Sequence, residues 1–217
     1  MRLPLIRPAE LTAEQRMLYD EMRAAIDKGF AGFKTVNDQG ALIGPFNASI
    51  HYPEIGRTSW ALTLAVGAMG ALPPSPREVA ILVVGGFYRA AYEIYAHTAV
   101  AEGLGFPLAR ISALIANVRP QDLNADEAAA FDVAYALCRG GPLPQATWRQ
   151  AVDTFGDRGP TRLPRWDLRV RVDDPERVRR AGAGLNVRTL IPAGKSCQQD
   201  LKASVNTRKT TYQEGNK

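Results

Sequence analysis

Apolar residues recur every three or four positions along most of residues 13–155, which is the period of an amphipathic α-helix. Capping-box sequences begin at Thr12, Ser75 and Asn124, each with Glu or Gln three positions later. Glycine or proline ends most of the apolar segments. Seven helices are predicted: residues 12–29, a helix from Pro53 or Glu54 to Met69, and residues 75–84, 89–102, 107–115, 124–139 and 145–155.

Two segments need a separate interpretation. Residues 30–47 follow neither the helical nor the strand period and contain Gly32, Gly40 and Gly44, so we predict a long loop with few internal hydrogen bonds. Residues 80–84 are rich in β-branched side chains, but the preceding capping box and the helices on both sides favour a buried helix, whose continuation Gly85-Gly86 should weaken. The predicted fold class is all-α.

The amino-acid composition limits which classes of protein this chain can belong to. The chain has 217 residues, 46% hydrophobic and 23% charged, which fits one globular domain with an appendage and excludes collagen-like and wholly disordered chains. No apolar run is long enough to span a membrane, and the N-terminus lacks a signal-peptide pattern, so we expect a soluble, cytoplasmic protein without membrane partners. Cys138 and Cys197 form no Cys-x-x-Cys pair, which disfavours thiol chemistry, and Cys138 should be a small packed residue.

Charge divides the chain into two parts. Residues 1–159 contain 14 Lys and Arg against 16 Asp and Glu, whereas residues 160–217 contain 13 against 6. The predicted division is therefore a helical domain over 1–159 and a basic, poorly ordered tail over 160–217. Clustered arginine can bind phosphates, but acidic residues are interspersed and no aromatic platform accompanies them. A solvated extension is the better interpretation, and a nucleic-acid partner is not expected.

The strongest candidate for chemistry is the pair Glu93 and His97. Residues four apart lie on one face of a helix, so the carboxylate can orient the imidazole and raise its basicity. Only His51 and His97 are available as unperturbed proton carriers near neutral pH. The alternative interpretation is a structural surface pair or a histidine hydrogen-bonded in the core.

For the other candidate residues, a purely structural role is a strong alternative to a functional one. Glu78 is the last residue of the Ser75 capping box and would ordinarily bind the cap's N–H. Arg77 and Arg89 can hold a carboxylate substrate through their guanidinium groups, although most arginines on helices are solvated. Tyr92 offers a hydroxyl for substrate binding, but tyrosines at this spacing usually line a core. His51 is interpreted as a residue at a helix entry.

At these residues the chain resembles the carboxymuconolactone decarboxylase-like family, which includes the alkylhydroperoxidase D-like proteins. The resemblance extends over roughly residues 10–158. It implies an all-helical subunit with a central helical hairpin, assembled as a homotrimer or hexamer. The matching stretches are Gly44-Pro45-Phe46-Asn47, His51-Tyr52-Pro53-Glu54-Ile55-Gly56, Leu72-Pro73-Pro74, Arg77 to Val84, and Tyr92-Glu93-Ile94-Tyr95-Ala96-His97.

The resemblance also separates two activities. The peroxidase branch uses the motif Cys-x-x-Cys-x-x-x-His. In this chain the two cysteine positions are occupied by Ala90 and Glu93, so the thiolate that the family's antioxidant activity needs is absent from the motif. The Glu-x-x-x-His version resembles the decarboxylase branch, which implies loss of carbon dioxide from a small unsaturated lactone carboxylate without cofactor or metal. His97 would be the general acid, with Glu93 its orienting partner and Glu78 a weaker third member. A non-catalytic binding protein and an inactive copy are the alternatives.

The tail departs from this family, whose members end in an apolar helix. If the reading frame is shifted forward by one base, and arginine and leucine use CGN and CTN codons as in a GC-rich gene, Trp166 forces Gly, Asp167 allows only Ile or Thr, and Glu176 allows only Asn or Ser. Over residues 164–178 the shifted frame permits Leu-Val-Gly-Ile-Tyr-Ala-Tyr-Val-Ser-Met-Thr-Leu-Asn-Ala-Tyr, which resembles the missing helix. We therefore hypothesise that residues from near Gly159 onward are an out-of-frame product.

Overall fold

Eight α-helices form the part of the chain that the computed structural model describes, which is residues 3–29, 32–68, 72–140 and 142–156. No strand occurs within these ranges, so the all-α prediction is confirmed. A single 3₁₀ turn, Pro8–Glu10, precedes the first helix. The helices are α1 (Ala13–Gly29), α2 (Pro45–His51), α3 (Pro53–Ala68), α4 (Pro74–Tyr88), α5 (Ala91–Gly103), α6 (Leu108–Ile115), α7 (Ala125–Arg139) and α8 (Gln145–Phe155).

Helices α1, α2 and α3 pack against one another around their own apolar cluster. The Thr12 capping box forms as predicted, because Gln15 N–H donates to the Thr12 hydroxyl and Thr12 N–H donates to the Gln15 amide oxygen. Helix α2 was not predicted, although Gly44-Pro45 carries its signal, a proline at the first helical position. The buried members of this cluster are Leu18, Met22, Ile26, Leu42, Phe46, Ile50 and Trp60.

Helix α4 is the centre of a second apolar cluster and packs against α5, α6 and α7, while α8 packs on α7. All residues from Glu78 to Gly85 are buried, which confirms the prediction of a buried helix there. Helices α4 and α5 are joined by the short turn Arg89-Ala90 and form a helical hairpin. This hairpin determines which side chains of α4 meet those of α5.

The prediction that Gly85-Gly86 would weaken the helix is wrong, because α4 continues to Tyr88. A Cβ atom on Gly86 would lie only 2.0 Å from the carbonyl oxygen of Ile115. The absence of a side chain at Gly86 therefore lets α4 approach the end of α6 at backbone distance. The packing contact outweighs the low helix propensity of glycine.

The segment 32–44 is more ordered than predicted. Val36 and Leu42 form an isolated antiparallel bridge, and the loop contains backbone hydrogen bonds such as Asn37 N–H to Ala41 O and Ile43 N–H to Thr35 O. The predicted loop also ends too late, since α2 begins at Pro45. The expectation of few internal hydrogen bonds is therefore wrong.

Two tyrosines of α5 hold this loop. The Tyr92 hydroxyl donates to the carbonyl oxygen of Lys34 at 2.9 Å, and the Lys34 N–H donates to the Tyr95 hydroxyl at 3.1 Å. Gly44 has a positive φ of 62°, and a Cβ there would lie 2.5 Å from the Tyr92 ring. The loop thus packs directly on the helix that carries Glu93 and His97.

The tail hypothesis, including the predicted boundary near residue 159, lies outside the described residues, as does Cys197. Cys138 is buried in the α4 cluster, as predicted. Among the helices that the structure describes, none has both the length and the apolar character needed to cross a bilayer.

Candidate active site

Helix α4 places Glu78 deep inside the protein, with only 1% of its side chain exposed. The predicted capping box with Ser75 does not form. The cap is Pro73 and the helix begins at Pro74, two residues earlier than a cap at Ser75 requires, and the Ser75 hydroxyl donates instead to Glu127 of α7. A capping box pairs the cap residue with the third helical residue, and in this register those positions are Pro73 and Pro76, which have neither an N–H nor a polar side chain. Glu78 is consequently available to α5.

Helix α5 presents Glu93 and His97 on one face, as the spacing of four predicts. Only 5% of the Glu93 side chain and 14% of the His97 side chain are exposed. A Cβ on Gly85 would lie in ordinary contact with Glu93 and Ile94, so α4 and α5 are closely packed beside the cluster. A surface position, one of the two structural interpretations, is thus excluded for this pair.

The imidazole of His97 lies between the two carboxylates. Its Nδ1 is 2.6 Å from Glu78 Oε2, and its Nε2 is 3.4 Å from Glu93 Oε2. Since both ring nitrogens face carboxylate oxygens, the ring is best satisfied as an imidazolium that donates from both. The sequence identified all three residues, but it ranked Glu78 last, whereas Glu78 makes the shorter contact.

Burial and the neighbouring carboxylates have opposite effects on the pKa of His97. Burial by itself lowers the pKa of the imidazole, because it disfavours the charged form. The hydrogen bond to Glu78, the weaker interaction with Glu93 and the negative charges of both outweigh it, and they raise the pKa of His97 to about 9. The ring therefore keeps both protons at neutral pH. Buried groups whose pKa values are shifted by specific charge partners are concentrated at functional sites.

Arg77 extends the cluster by one residue. Its Nε donates to Glu78 Oε1 at 3.2 Å, and 37% of its side chain is exposed. Glu78 thus accepts from His97 on one oxygen and from Arg77 on the other. The result is a row of alternating charges: Arg77, Glu78, His97 and Glu93.

The other predicted substrate-binding residues are Arg89 and Tyr92, and the described contacts of the cluster do not include them. Arg89 is exposed at the end of α4, in the left-handed conformation. Tyr92 is half-buried, and its hydroxyl binds the Lys34 carbonyl described above. Burial raises the pKa of Tyr92, so its hydroxyl remains a donor. His51 ends α2, with Nε2 2.8 Å from the Pro4 carbonyl, and takes no part in the cluster.

Comparisons with family models, with curated proteins and with solved structures give no match. The resemblance to the carboxymuconolactone decarboxylase-like family therefore remains a prediction that depends on the motifs quoted above. The geometry of the Glu78–His97–Glu93 cluster is independent of that resemblance.

That geometry is suited to moving a proton. Within the described ranges, no group of three or more His, Cys, Asp or Glu side chains is placed to hold a metal ion. His97 holds a transferable proton on Nε2, the nitrogen with the longer contact, while Glu78 fixes the ring through Nδ1. An imidazole oriented by a carboxylate in this way is a common general acid.

Proposed function

We propose that the Glu78–His97–Glu93 cluster is the acid–base site of a cofactor-free decarboxylase acting on a small unsaturated lactone or keto acid. The supporting observation is the buried imidazolium between two carboxylates, 2.6 Å and 3.4 Å from its ring nitrogens. The family resemblance of the surrounding motifs points to the same chemistry.

In the proposed reaction the bond between the substrate carboxylate and its neighbouring carbon breaks, and carbon dioxide leaves. The electron pair remains on the conjugated system as a dienolate. His97 then donates the Nε2 proton to carbon and is reprotonated from solvent. Its pKa of about 9 keeps the donor charged at neutral pH. Arg77 keeps 37% of its side chain exposed, and its guanidinium can attract the substrate carboxylate from that side.

We further propose that the chain assembles with copies of itself. From Thr58 to Ala68 helix α3 contains no charged residue, and Leu62 and Leu64 are each 41% exposed on it. Apolar helix faces of this kind are frequent at subunit contacts. This proposal is independent of the activity of the site.

The decisive experiment replaces His97 with Asn and measures decarboxylation of unsaturated lactone carboxylates and β-keto acids. The H97N variant should lose about 10²- to 10⁴-fold in kcat, because removal of a general acid has effects of that order. The matched control is H51N, which removes the other histidine, and it should retain activity. If the wild-type protein turns over neither substrate class, the binding-protein and inactive-copy alternatives are favoured instead.

A further inference from the structure

The site contains one group more than decarboxylation requires. Loss of carbon dioxide leaves a carbanion that needs only an acid, which is His97. Glu93 adds a carboxylate 3.4 Å from the nitrogen that carries the transferable proton. An acid and a base that lie next to each other can act on a substrate with no carboxylate at all.

Glu93, and not Glu78, is the carboxylate suited to act as a base. Glu78 is the more buried, and its two oxygens accept from His97 Nδ1 at 2.6 Å and from Arg77 Nε at 3.2 Å. The contact between His97 and Glu93 is 0.8 Å longer than the contact between His97 and Glu78. The longer contact is the one that a substrate can replace with the smaller loss of hydrogen-bond energy.

The positions of the two groups match one class of reaction. In a suprafacial allylic proton shift, a proton leaves the carbon next to a carbonyl and another arrives two bonds further along, on the same face of the molecule. Glu93 Oε2 and His97 Nε2 are neighbouring atoms from successive turns of α5, so both approach the substrate from the same side. We propose that this site also isomerises β,γ-unsaturated ketones and lactones to their conjugated α,β-unsaturated forms.

The step balances without any co-reactant. The α carbon–hydrogen bond breaks, its proton passes to Glu93 Oε2, and its electron pair becomes part of a dienolate. The Nε2–H bond of His97 then breaks, and that proton forms the new bond at the γ carbon. Finally the proton on Glu93 returns to His97 Nε2, which restores the starting charges. This inference rests on the proposed function, because it uses the same acid.

The test uses the full-length chain with 3-cyclohexenone and a β,γ-unsaturated butenolide as probes. Ultraviolet absorbance follows the conjugated product, and mass spectrometry in deuterium oxide follows exchange at the α and γ carbons. Wild-type protein should catalyse both isomerisation and exchange. The E93Q variant should lose on the order of 100-fold or more in both, whereas the control E102Q, an exposed glutamate on the same helix, should match the wild type.

Decarboxylation is measured on the same preparations, so that the two proposals fail separately. Decarboxylation without isomerisation overturns this inference and leaves the proposed function standing, whereas loss of both overturns the two together. Isomerisation that persists in a folded E93Q variant excludes Glu93 as the base. If E93Q does not fold, the E93D variant replaces it: recovery of part of the exchange supports a catalytic carboxylate, and a folded E93D without exchange contradicts it.

Discussion

His97 binds its proton more tightly in the folded chain than in the unfolded chain, because folding places it between two carboxylates. Its pKa rises from 6.5 to about 9. A raised folded-state pKa contributes stability that is fully present below about 6.5 and is lost as the pH rises through about 9. The site is thus coupled to the stability of the whole domain.

We expect this coupling to be visible in urea unfolding. The free energy of unfolding of the wild-type chain should exceed that of H97N by an amount that shrinks by up to about 3 kcal/mol as the pH is raised from about 6 to about 10. The H51N variant, which removes the histidine outside the cluster, is the control. Parallel curves for wild type and H97N would show that His97 has no raised pKa.

Part of this site is readable from sequence and part is not. The contact between Glu93 and His97 is local, since the period of an α-helix brings residues four apart together. The contact between Glu78 and His97 spans 19 residues and exists only because α4 and α5 form a hairpin. Sequence reasoning assigned Glu78 to a cap because Ser75-x-x-Glu78 fits a capping box, whereas the helix takes Pro73 as its cap, a register that the motif does not reveal.

Seven of the helices could be predicted, because the apolar periodicity agrees with the capping and breaking residues at their ends. Asn124 and Glu127 form the expected reciprocal cap of α7. The failures have specific physical causes. Helix α2 has only seven residues, too few to show a period, and Gly86 has low helix propensity but serves a backbone contact.

This interpretation of Gly86 can be tested with a matched pair of glycines. G86A should destabilise the domain by about 1–3 kcal/mol, because the new methyl group would overlap the backbone of Ile115. G67A lies on α3 with no atom within 4 Å of its added Cβ, and it should stabilise the domain by about 0.4–1 kcal/mol through helix propensity. Chemical denaturation of both variants measures the difference.

Equal effects of the two substitutions would contradict this account. The two substitutions should have opposite signs, since of the two glycines only Gly86 is in close contact with another helix. A destabilised G67A would mean that α3 is covered in solution by something that the added methyl group displaces.

Helix α4 connects the apolar core to the site. The helix supplies core residues such as Val79, Leu82 and Val83 from the same segment that carries Glu78. Loss of packing around α4 would therefore also move Glu78 relative to His97. Stability and activity should consequently change together in this chain.

The hypothesis of a shifted reading frame makes that dependence testable. A version of the chain with the frame restored after residue 159 should gain an apolar terminal helix, whose burial stabilises by about 25 cal/mol per Å² of apolar surface. Several kcal/mol would be a large fraction of a total stability of about 5–15 kcal/mol. We expect the restored chain to melt at a higher temperature and to elute from size-exclusion chromatography as a larger, more uniform assembly. Resequencing of the locus is the independent control. Identical melting and elution of the two chains would show that the terminal residues contribute nothing to the packing of the helical domain.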